Sequence, residues 1–154
     1  MASLIKTDVK WGPVTWALFH TIAEKINPDQ FNSIKDELIS QLRLVCNNLP
    51  CNICIAHASR YWKQINLVNI KTKHDLKMIL FHFHNEVNKR KNKPIYKETD
   101  LTKYENGNIH KMVLVFNHVY NEYTNNKLIM YNFHRRRVAN DFIKWMYAHQ
   151  SFFN

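Results

Sequence analysis

Residues 33–48 read SIKDELISQLRLVCNN and carry the clearest structural signal of the chain. Apolar side chains recur there and just beyond at intervals of three to four residues, at Ile34, Leu38, Leu42, Val45 and Leu49. This period is typical of an amphipathic α-helix that lays one face on a protein core. The segment from Asn47 to Pro50 predicts a stop and a restart, because proline is favoured at the first position of a helix.

Helical spacing continues on both sides of this stretch. Further predicted helices cover residues 14–26, 51–65, 73–91, 109–123 and 128–149. A polar segment from Lys91 to Gly107 reads as a connector between the fourth and fifth helices. The predicted fold is all-α, a four-helix bundle with additional C-terminal helices. We place the boundary between a core, residues 1–98, and a C-terminal helical extension, residues 99–154.

The composition agrees with a helical domain. The chain has 154 residues, of which 45% are apolar, so it can bury one core without a disulfide scaffold. It contains only 2 glycines and 4 prolines, which argues against β-sandwiches, Rossmann folds and glycine-loop nucleotide sites. No apolar run approaches the roughly 20 residues of a membrane span, and the first residues lack the apolar segment of a secretory signal. We therefore expect a soluble intracellular protein with no membrane partner.

The chain is basic, with 22 Lys and Arg against 12 Asp and Glu and a net charge of +10. Such a charge favours nucleic acid, anionic lipid or an acidic partner, so a basic helical nucleic-acid-binding protein is one alternative. The basic residues are scattered, however, apart from Arg135, Arg136 and Arg137. Abundant lysine and asparagine also occur in proteins of AT-rich genomes. We expect no nucleic-acid partner.

Cys51-Asn52-Ile53-Cys54 forms a C-x-x-C motif directly after Pro50. At a helix start, free N–H groups and the helix dipole stabilise a thiolate and lower the pKa of a cysteine. The spacing also brings the two sulfurs close enough for a disulfide. In an intracellular protein this motif indicates either redox chemistry or metal binding.

A metal site is the competing interpretation. Cys46, Cys51, Cys54 and His57 have the spacing C-x4-C-x2-C-x2-H and offer four soft ligands. These ligands lie within 12 residues and lack the distant second pair of most zinc modules. Spacing alone does not choose between a redox pair and a zinc-stabilised helical binding module.

Two further clusters flank the cysteines in sequence. His84, Asn88 and Lys91 share one face of the predicted fourth helix, beside an apolar seam, and together they suit a flat, anionic, aromatic ligand. The segment from Trp11 through Trp16 to His20 adds two indoles and an imidazole. The alternative for the first cluster is an ordinary exposed helix face, and for the second a core helix.

Three blocks occur in order: W-G-P-x-x-W-x-x-x-H from Trp11, C-x-x-C-x-x-H from Cys51, and H-N-x-V-N-x-R from His84. Together they resemble the Erv/Alr family of FAD-linked sulfhydryl oxidases, especially the compact forms of large cytoplasmic DNA viruses. The resemblance covers about residues 10–96. Two positions depart from the family pattern, because Lys91-Asn92 replaces a common Leu-Gly and Pro13 replaces a frequent Arg.

The resemblance implies a helical bundle, usually a homodimer, that holds FAD beside the redox pair. It implies that Cys54 is the cysteine next to the flavin and that Cys51 meets the substrate, and it implies no metal. The implied FAD contacts are Gly12, Trp16, His20, Cys54, His57, His84, Asn85, Val87, Asn88, Lys91, Lys93 and Tyr96, with the two lysines near the pyrophosphate.

The implied activity is thiol oxidation, in which electrons pass from a protein dithiol to Cys51 and Cys54, then through FAD to molecular oxygen to give hydrogen peroxide. The chain has three cysteines and no second C-x-x-C pair. The implied partner is therefore a protein dithiol or a thioredoxin-like relay protein. For a viral protein we expect disulfide formation in virion proteins, in the host cytoplasm or the virion. For a cellular one we expect the mitochondrial intermembrane space.

Overall fold

The computed structural model describes residues 10–122 and 129–154. The main helices are α1 (Trp11–Lys25), α2 (Phe31–Cys46), α3 (Asn52–Gln64), α4 (Lys73–Arg90), α5 (Ile109–Glu122) and α6 (Ile129–Ala148). Short 3₁₀ segments cover Leu67–Asn69, Glu98–Tyr104 and Gln150–Phe152. The described ranges contain helices and no β-strand, so the all-α prediction is confirmed. The predicted end of the fifth helix at 123 and start of the sixth at 128 lie outside the described residues.

Local sequence signals explain where the helices begin and end. α4 begins with a capping box, in which Asp75 N donates to Thr72 Oγ1 at 3.2 Å and Thr72 N donates to Asp75 Oδ2 at 2.9 Å. Beyond its end, Asn92 has a φ of 54°, a left-handed conformation that asparagine tolerates. α1 begins at Trp11, earlier than the predicted Val14, because a proline is tolerated in the first turn, where its missing N–H has no helical partner.

One hydrophobic core runs through the described helices, and α1 contributes several of its fully buried side chains. Leu18, Phe19 and Ile22 are almost completely buried, and α1 packs against both α4 and α5. α2 packs against α3 and α6. The apolar stripes of α5 and α6 add Phe116 and Phe142 to the same core. The predicted bundle and the predicted C-terminal extension therefore share one interior.

Polar contacts attach the C-terminal part of the chain to the bundle. Arg135 Nε donates to the carbonyl oxygen of Asn48 at 3.0 Å, which ties α6 to the segment just before the C-x-x-C motif. Asn154 N donates to the carbonyl oxygen of Lys25 at 2.7 Å. Of the described helices, none has the length and apolarity that crossing a membrane requires.

Candidate active site

The two cysteines of the C-x-x-C motif form a disulfide at the start of α3. Cys51 and Cys54 are bonded through their sulfurs, with Cα atoms 5.2 Å apart. Cys51 caps the helix, since its backbone is extended and its Sγ accepts a hydrogen bond from Cys54 N at 3.2 Å. The prediction that Pro50 occupies the first helical position is therefore wrong. Pro50 precedes the cap because the Cys51 sulfur itself satisfies a free N–H group of the first turn.

The two sulfurs of the pair differ in exposure. Only 8% of the surface of Cys54 is exposed. Cys51 is half-buried, and the next two residues, Asn52 and Ile53, are exposed. A second protein can therefore reach Cys51 more readily than Cys54.

Two adjoining cavities lie between α1 and α4. The smaller, about 40 Å³, is lined by Cys54, Phe83 and Arg90 among other residues. The larger, about 480 Å³, is lined in part by His84, Asn88, Lys93, Tyr96, Lys103 and Tyr104. Four residues line both: Gly12, Trp16, Val87 and Lys91. A ligand seated in the larger cavity can therefore extend toward the buried sulfur.

Four rings form a stack beside the larger cavity. Trp16 lies over His84 with ring centroids 4.3 Å apart and planes inclined by 6°. Tyr104 lies over His20 with centroids 5.0 Å apart. The two imidazoles are joined by a hydrogen bond between His20 Nε2 and His84 Nδ1 at 2.9 Å. Trp16, His84 and Tyr104 line the cavity, which gives it flat ring surfaces.

Burial keeps both histidines of this stack neutral. It is the main cause that lowers the pKa of His20 to about 3, and the neighbouring His84 and Lys103 act in the same direction. Burial likewise lowers the pKa of His84 to about 4, with smaller effects of Lys103 and Lys93. At pH 7 one neutral ring donates its N–H to the other. His20 Nδ1 is buried and has no hydrogen-bond partner among the described residues.

Lysines give the larger cavity a positive rim. Three lysines line it, Lys91, Lys93 and Lys103. No acidic side chain of the described part of the chain lines it. Lys103 Nζ lies 4.9 Å from the ring centroid of Tyr96 and 5.1 Å from that of Tyr104, a cation–π arrangement. Burial lowers the pKa of Lys91, and Lys93 adds to the effect. An anionic ligand would relieve this repulsion between cations.

The structure brings most of the predicted ligand contacts to these cavities. The predicted residues that line one or both are Gly12, Trp16, Cys54, His84, Val87, Asn88, Lys91, Lys93 and Tyr96. His20 does not line either cavity, but it is hydrogen-bonded to His84, which lines the larger one. The two remaining predicted contacts, His57 and Asn85, line neither cavity.

Asn85 and His57 have other positions in the site. Asn85 holds the segment that follows α4, because its Oδ1 accepts from Tyr96 N at 2.8 Å and its Nδ2 donates to Tyr96 O at 3.0 Å. It therefore fixes a wall of the larger cavity without facing it. His57 is half-buried on α3, with its ring centroid 6.2 Å from that of Phe83. Burial, followed by the nearby Arg90, lowers the pKa of His57.

The lining residues that are absent from the predicted contacts include Trp11, Arg90, Lys103 and Tyr104. Arg90 Nη2 lies 3.6 Å from Cys54 Sγ. Lys91 Nζ lies 5.9 Å from the ring centroid of Trp11. Trp11 is the first residue of the first sequence block quoted above, and Arg90 is the last residue of the third. Their positions in these blocks are the sequence signal that could have identified them.

Lys103 and Tyr104 come from the segment that we predicted to be only a connector. Gly107 allows this segment to approach α1 closely, because a Cβ on it would lie 3.0 Å from Thr21 Cγ2 and from the carbonyl oxygen of Tyr104. The one sequence feature that could have indicated these two site residues is a lysine beside an aromatic residue, shortly before an Asn-Gly turn.

The alternative metal site does not form. Within the described residues, no three His, Cys, Asp or Glu side chains are grouped so as to hold a metal ion. Cys46 is a free, buried thiol whose pKa is raised to about 12 by burial. Cys51 and Cys54 are bonded to each other. The four candidate ligands, Cys46, Cys51, Cys54 and His57, are therefore not grouped around a common point.

Most of the chain is similar to known proteins. The sequence model of the Erv1 / Alr family matches residues 13–107. The chain is 34% identical over 85 residues to an FAD-linked sulfhydryl oxidase of African swine fever virus, an overlap of 55% of this chain and 71% of that protein. It is 32% identical over 95 residues to protein 347L of Invertebrate iridescent virus 6, an overlap of 58% and 86%. No solved structure matches the chain.

Proposed function

The chain belongs to the Erv1/Alr family, and we propose that it is an FAD-linked sulfhydryl oxidase that forms disulfide bonds in protein substrates. The observation that carries the proposal is the Cys51–Cys54 disulfide, whose buried sulfur borders a cavity that continues into a larger one with aromatic walls and a basic rim. The name of the relative from African swine fever virus supports the same activity.

The residues of the larger cavity fit FAD. The rings of Trp16, His84 and Tyr104 offer flat surfaces for its ring systems, and the lysines suit its pyrophosphate. Gly12 is an independent indication, because a Cβ on it would meet no atom within 4 Å. Packing within the chain therefore does not require a glycine there, whereas a ligand that approaches the backbone does.

We assign the binding residues on this basis. The proposed ring contacts are Gly12, Trp16, His84, Val87, Asn88, Tyr96 and Tyr104, and the proposed pyrophosphate contacts are Lys91, Lys93 and Lys103. His20 and Asn85 act through His84 and Tyr96, and His57 remains a predicted contact. When bound, FAD supplies a two-electron acceptor beside Cys54.

The reaction begins at the more exposed sulfur. A substrate thiolate attacks Cys51 Sγ, a bond forms between these two sulfurs, and the Cys51–Cys54 bond breaks with its electron pair on Cys54 Sγ. The second substrate thiolate then attacks the substrate sulfur of the mixed disulfide and releases Cys51 as a thiolate. The substrate has lost two electrons, and the cysteine pair has gained them.

The start of α3 stabilises the thiolate that is released at Cys51. Cys54 N already donates to Cys51 Sγ at 3.2 Å. The positive end of the helix dipole acts on the same atom. Both effects stabilise the negative charge on the Cys51 sulfur, which favours its departure from the mixed disulfide.

Molecular oxygen is the final acceptor in this proposal, so the net reaction converts a dithiol and oxygen into a disulfide and hydrogen peroxide. The chain has three cysteines, and the third, Cys46, is buried. The substrate therefore meets Cys51 directly, either as a protein dithiol or as a thioredoxin-like relay protein. We also propose a homodimer that acts on virion proteins, in the host cytoplasm or the virion, and the viral sources of the relatives support this setting.

A visible absorption spectrum before and after addition of dithiothreitol in air tests the proposal. We expect a flavin spectrum that bleaches and then recovers while oxygen is consumed. Cys54→Ser should keep the flavin and lose thiol-dependent oxygen consumption. Cys46→Ala should keep both, because a thiol with a pKa of about 12 stays protonated at neutral pH. A protein that takes up no FAD, or full turnover by Cys54→Ser, would contradict the proposal.

A further inference from the structure

Each sulfur of the redox pair has its own hydrogen-bond donor, and the two donors belong to different helices. Cys51 Sγ accepts from Cys54 N, at the start of α3. Cys54 Sγ lies 3.6 Å from Nη2 of Arg90, in the last turn of α4. The mechanism above uses the first contact only, so the second has no role in it.

The charge of Arg90 acts on Cys54 without a carboxylate partner. No salt bridge of the described residues includes Arg90. Its Nε is buried and likewise has no hydrogen-bond partner in the described part of the chain. The sulfur itself is buried in a largely apolar cavity wall, where water screens a charge less than it does at the surface.

Other charged or basic side chains lie near this contact. Lys91 lines the same small cavity. Glu86 precedes Arg90 by one turn of α4, and its side chain is exposed. His57 approaches from α3 and is neutral at pH 7, because burial lowers its pKa. Among the described cations, Arg90 is the one within hydrogen-bond range of the Cys54 sulfur.

We propose that Arg90 is a catalytic residue of the disulfide exchange, whose guanidinium stabilises the negative charge that develops on Cys54 Sγ as the Cys51–Cys54 bond breaks. The inference rests on the proposed function, since it takes Cys54 as the leaving group. The electron pair of the broken bond goes to Cys54 Sγ, and Arg90 donates an N–H hydrogen bond to it without losing a proton. Because a leaving thiol of lower pKa leaves faster, this contact accelerates the reduction of the pair.

An arginine suits this position better than a lysine does. The guanidinium stays charged at every working pH, so it cannot transfer its proton to the thiolate. Desolvation lowers the pKa of a lysine at such a site, as it does for Lys91 in the same wall. Arg90→Lys should therefore restore only part of what Arg90→Gln removes.

The pKa of the Cys54 thiol tests the inference without reference to oxidase activity. Cys51→Ser leaves Cys54 unpaired and keeps a capping side chain at the start of α3. In this full-length background, the rate of alkylation of Cys54 by iodoacetamide is measured against pH, with the modified peptide identified by mass spectrometry. Arg90→Gln should raise the pKa of Cys54 by about 1 to 3, the range expected for loss of a neighbouring opposite charge. Arg90→Lys should raise it by less.

Lys89→Gln is the matched control, because it removes the same charge from an exposed neighbour in the same turn. It should leave the pKa of Cys54 nearly unchanged. An equal rise in Lys89→Gln and Arg90→Gln, or no rise in Arg90→Gln, would overturn the inference. Circular dichroism establishes that each variant is folded, and Arg90→Lys provides the comparison if Arg90→Gln is not.

A second measurement follows the exchange step itself. With both cysteines present, the rate at which dithiothreitol reduces the Cys51–Cys54 disulfide should fall severalfold in Arg90→Gln and remain at the wild-type value in Lys89→Gln. Equal rates in all three proteins would count against the inference. A chain that binds no FAD but still shows the pKa rise would remove the proposed oxidase function and leave the role of Arg90 at Cys54 intact.

Discussion

His20 Nε2 and His84 Nδ1 lie 2.9 Å apart, so one imidazole from α1 and one from α4 share a buried hydrogen bond. These are the two helices between which the cavities lie. The bond requires an acceptor nitrogen, and a protonated imidazole has none. Protonation of both rings would therefore break the contact and place two like charges beside each other in the protein interior.

The stability of the protein should fall as the pH is lowered from 7 toward 4. The pKa values of His20 and His84 are about 3 and about 4 in the folded chain, below the ordinary value of 6.5. Between the folded pKa values and 6.5, the unfolded chain therefore binds more protons than the folded chain. A falling pH in this range favours unfolding. We expect a loss of more than about 1.4 kcal/mol in the free energy of unfolding, the equivalent of one pKa unit, in urea titrations.

Two variants connect this pH dependence to the histidine pair. His20→Gln cannot take up the proton, so the slope of stability against pH between 4 and 6.5 should become shallower. His82→Gln alters an exposed histidine of α4, the helix that carries His84, and should keep the wild-type slope. The same slope in His20→Gln and in the wild type would show that the pair is not its source.

Gly12→Ala should weaken FAD binding without weakening the fold. A Cβ there meets no protein atom within 4 Å, and alanine favours a helix over glycine by up to about 1 kcal/mol. The melting temperature without added flavin should therefore stay the same or rise. The Kd for FAD should increase by at least about tenfold, or about 1.4 kcal/mol, in a fluorescence titration. An unchanged Kd would mean that the ligand does not approach this backbone.

Gly107→Ala should have the opposite pattern. Its Cβ would lie 3.0 Å from Thr21 Cγ2 and from the carbonyl oxygen of Tyr104, so the chain must shift to accept it. We expect a destabilisation of about 1 to 3 kcal/mol, the usual cost of overpacking a close contact, in thermal unfolding without flavin. A fully stable variant would show that the segment after α4 does not need its close approach to α1.

Lys103→Gln should discriminate between FAD and riboflavin, which lacks the pyrophosphate. Lys103 belongs to the basic rim, and its ammonium lies over the rings of Tyr96 and Tyr104. Its loss should weaken FAD binding and reduce the dependence of that binding on salt, while riboflavin binding changes little. Lys111→Gln removes a charge from an exposed site on α5 and serves as the control. Equal losses for both ligands would place Lys103 away from the phosphates.

Asn85→Ala should loosen the wall of the larger cavity. Asn85 is bonded to both the N–H and the carbonyl oxygen of Tyr96. Without it, the Tyr96 amide should exchange with deuterium faster in the flavin-free protein, and FAD should bind more weakly. Glu86→Gln, at the neighbouring exposed position, should leave the exchange unchanged. Normal protection of Tyr96 in Asn85→Ala would show that other contacts hold this segment.

Local sequence patterns predicted much of the site because its central residues are close in sequence. His84, Asn88 and Lys91 share a helix face by their spacing, and all three line the larger cavity. The three-residue spacing of Cys51 and Cys54 likewise brings their sulfurs together. The helical periodicity also predicted α2 to within two residues at either end.

The parts that the sequence left open depend on contacts between distant segments. The family resemblance predicted Asn85 as a ligand contact, but its amide binds the backbone of Tyr96, 11 residues later. Lys103 and Tyr104 enter the site because Gly107 admits a close approach to α1. The Arg90 contact to Cys54 spans 36 residues. The spacing of residues within one helix does not predict such contacts, since they depend on how the helices pack against each other.

The bond between Arg135 Nε and the carbonyl oxygen of Asn48 spans 87 residues, and this separation sets an order of events during synthesis. Cys51 and Cys54 leave the ribosome long before Arg135 does. The segment that leads into the C-x-x-C motif therefore lacks its tether to α6 until α6 has been synthesised, and contacts of such long range form slowly. The surroundings of the Cys51–Cys54 disulfide are accordingly completed only after α6 has been made.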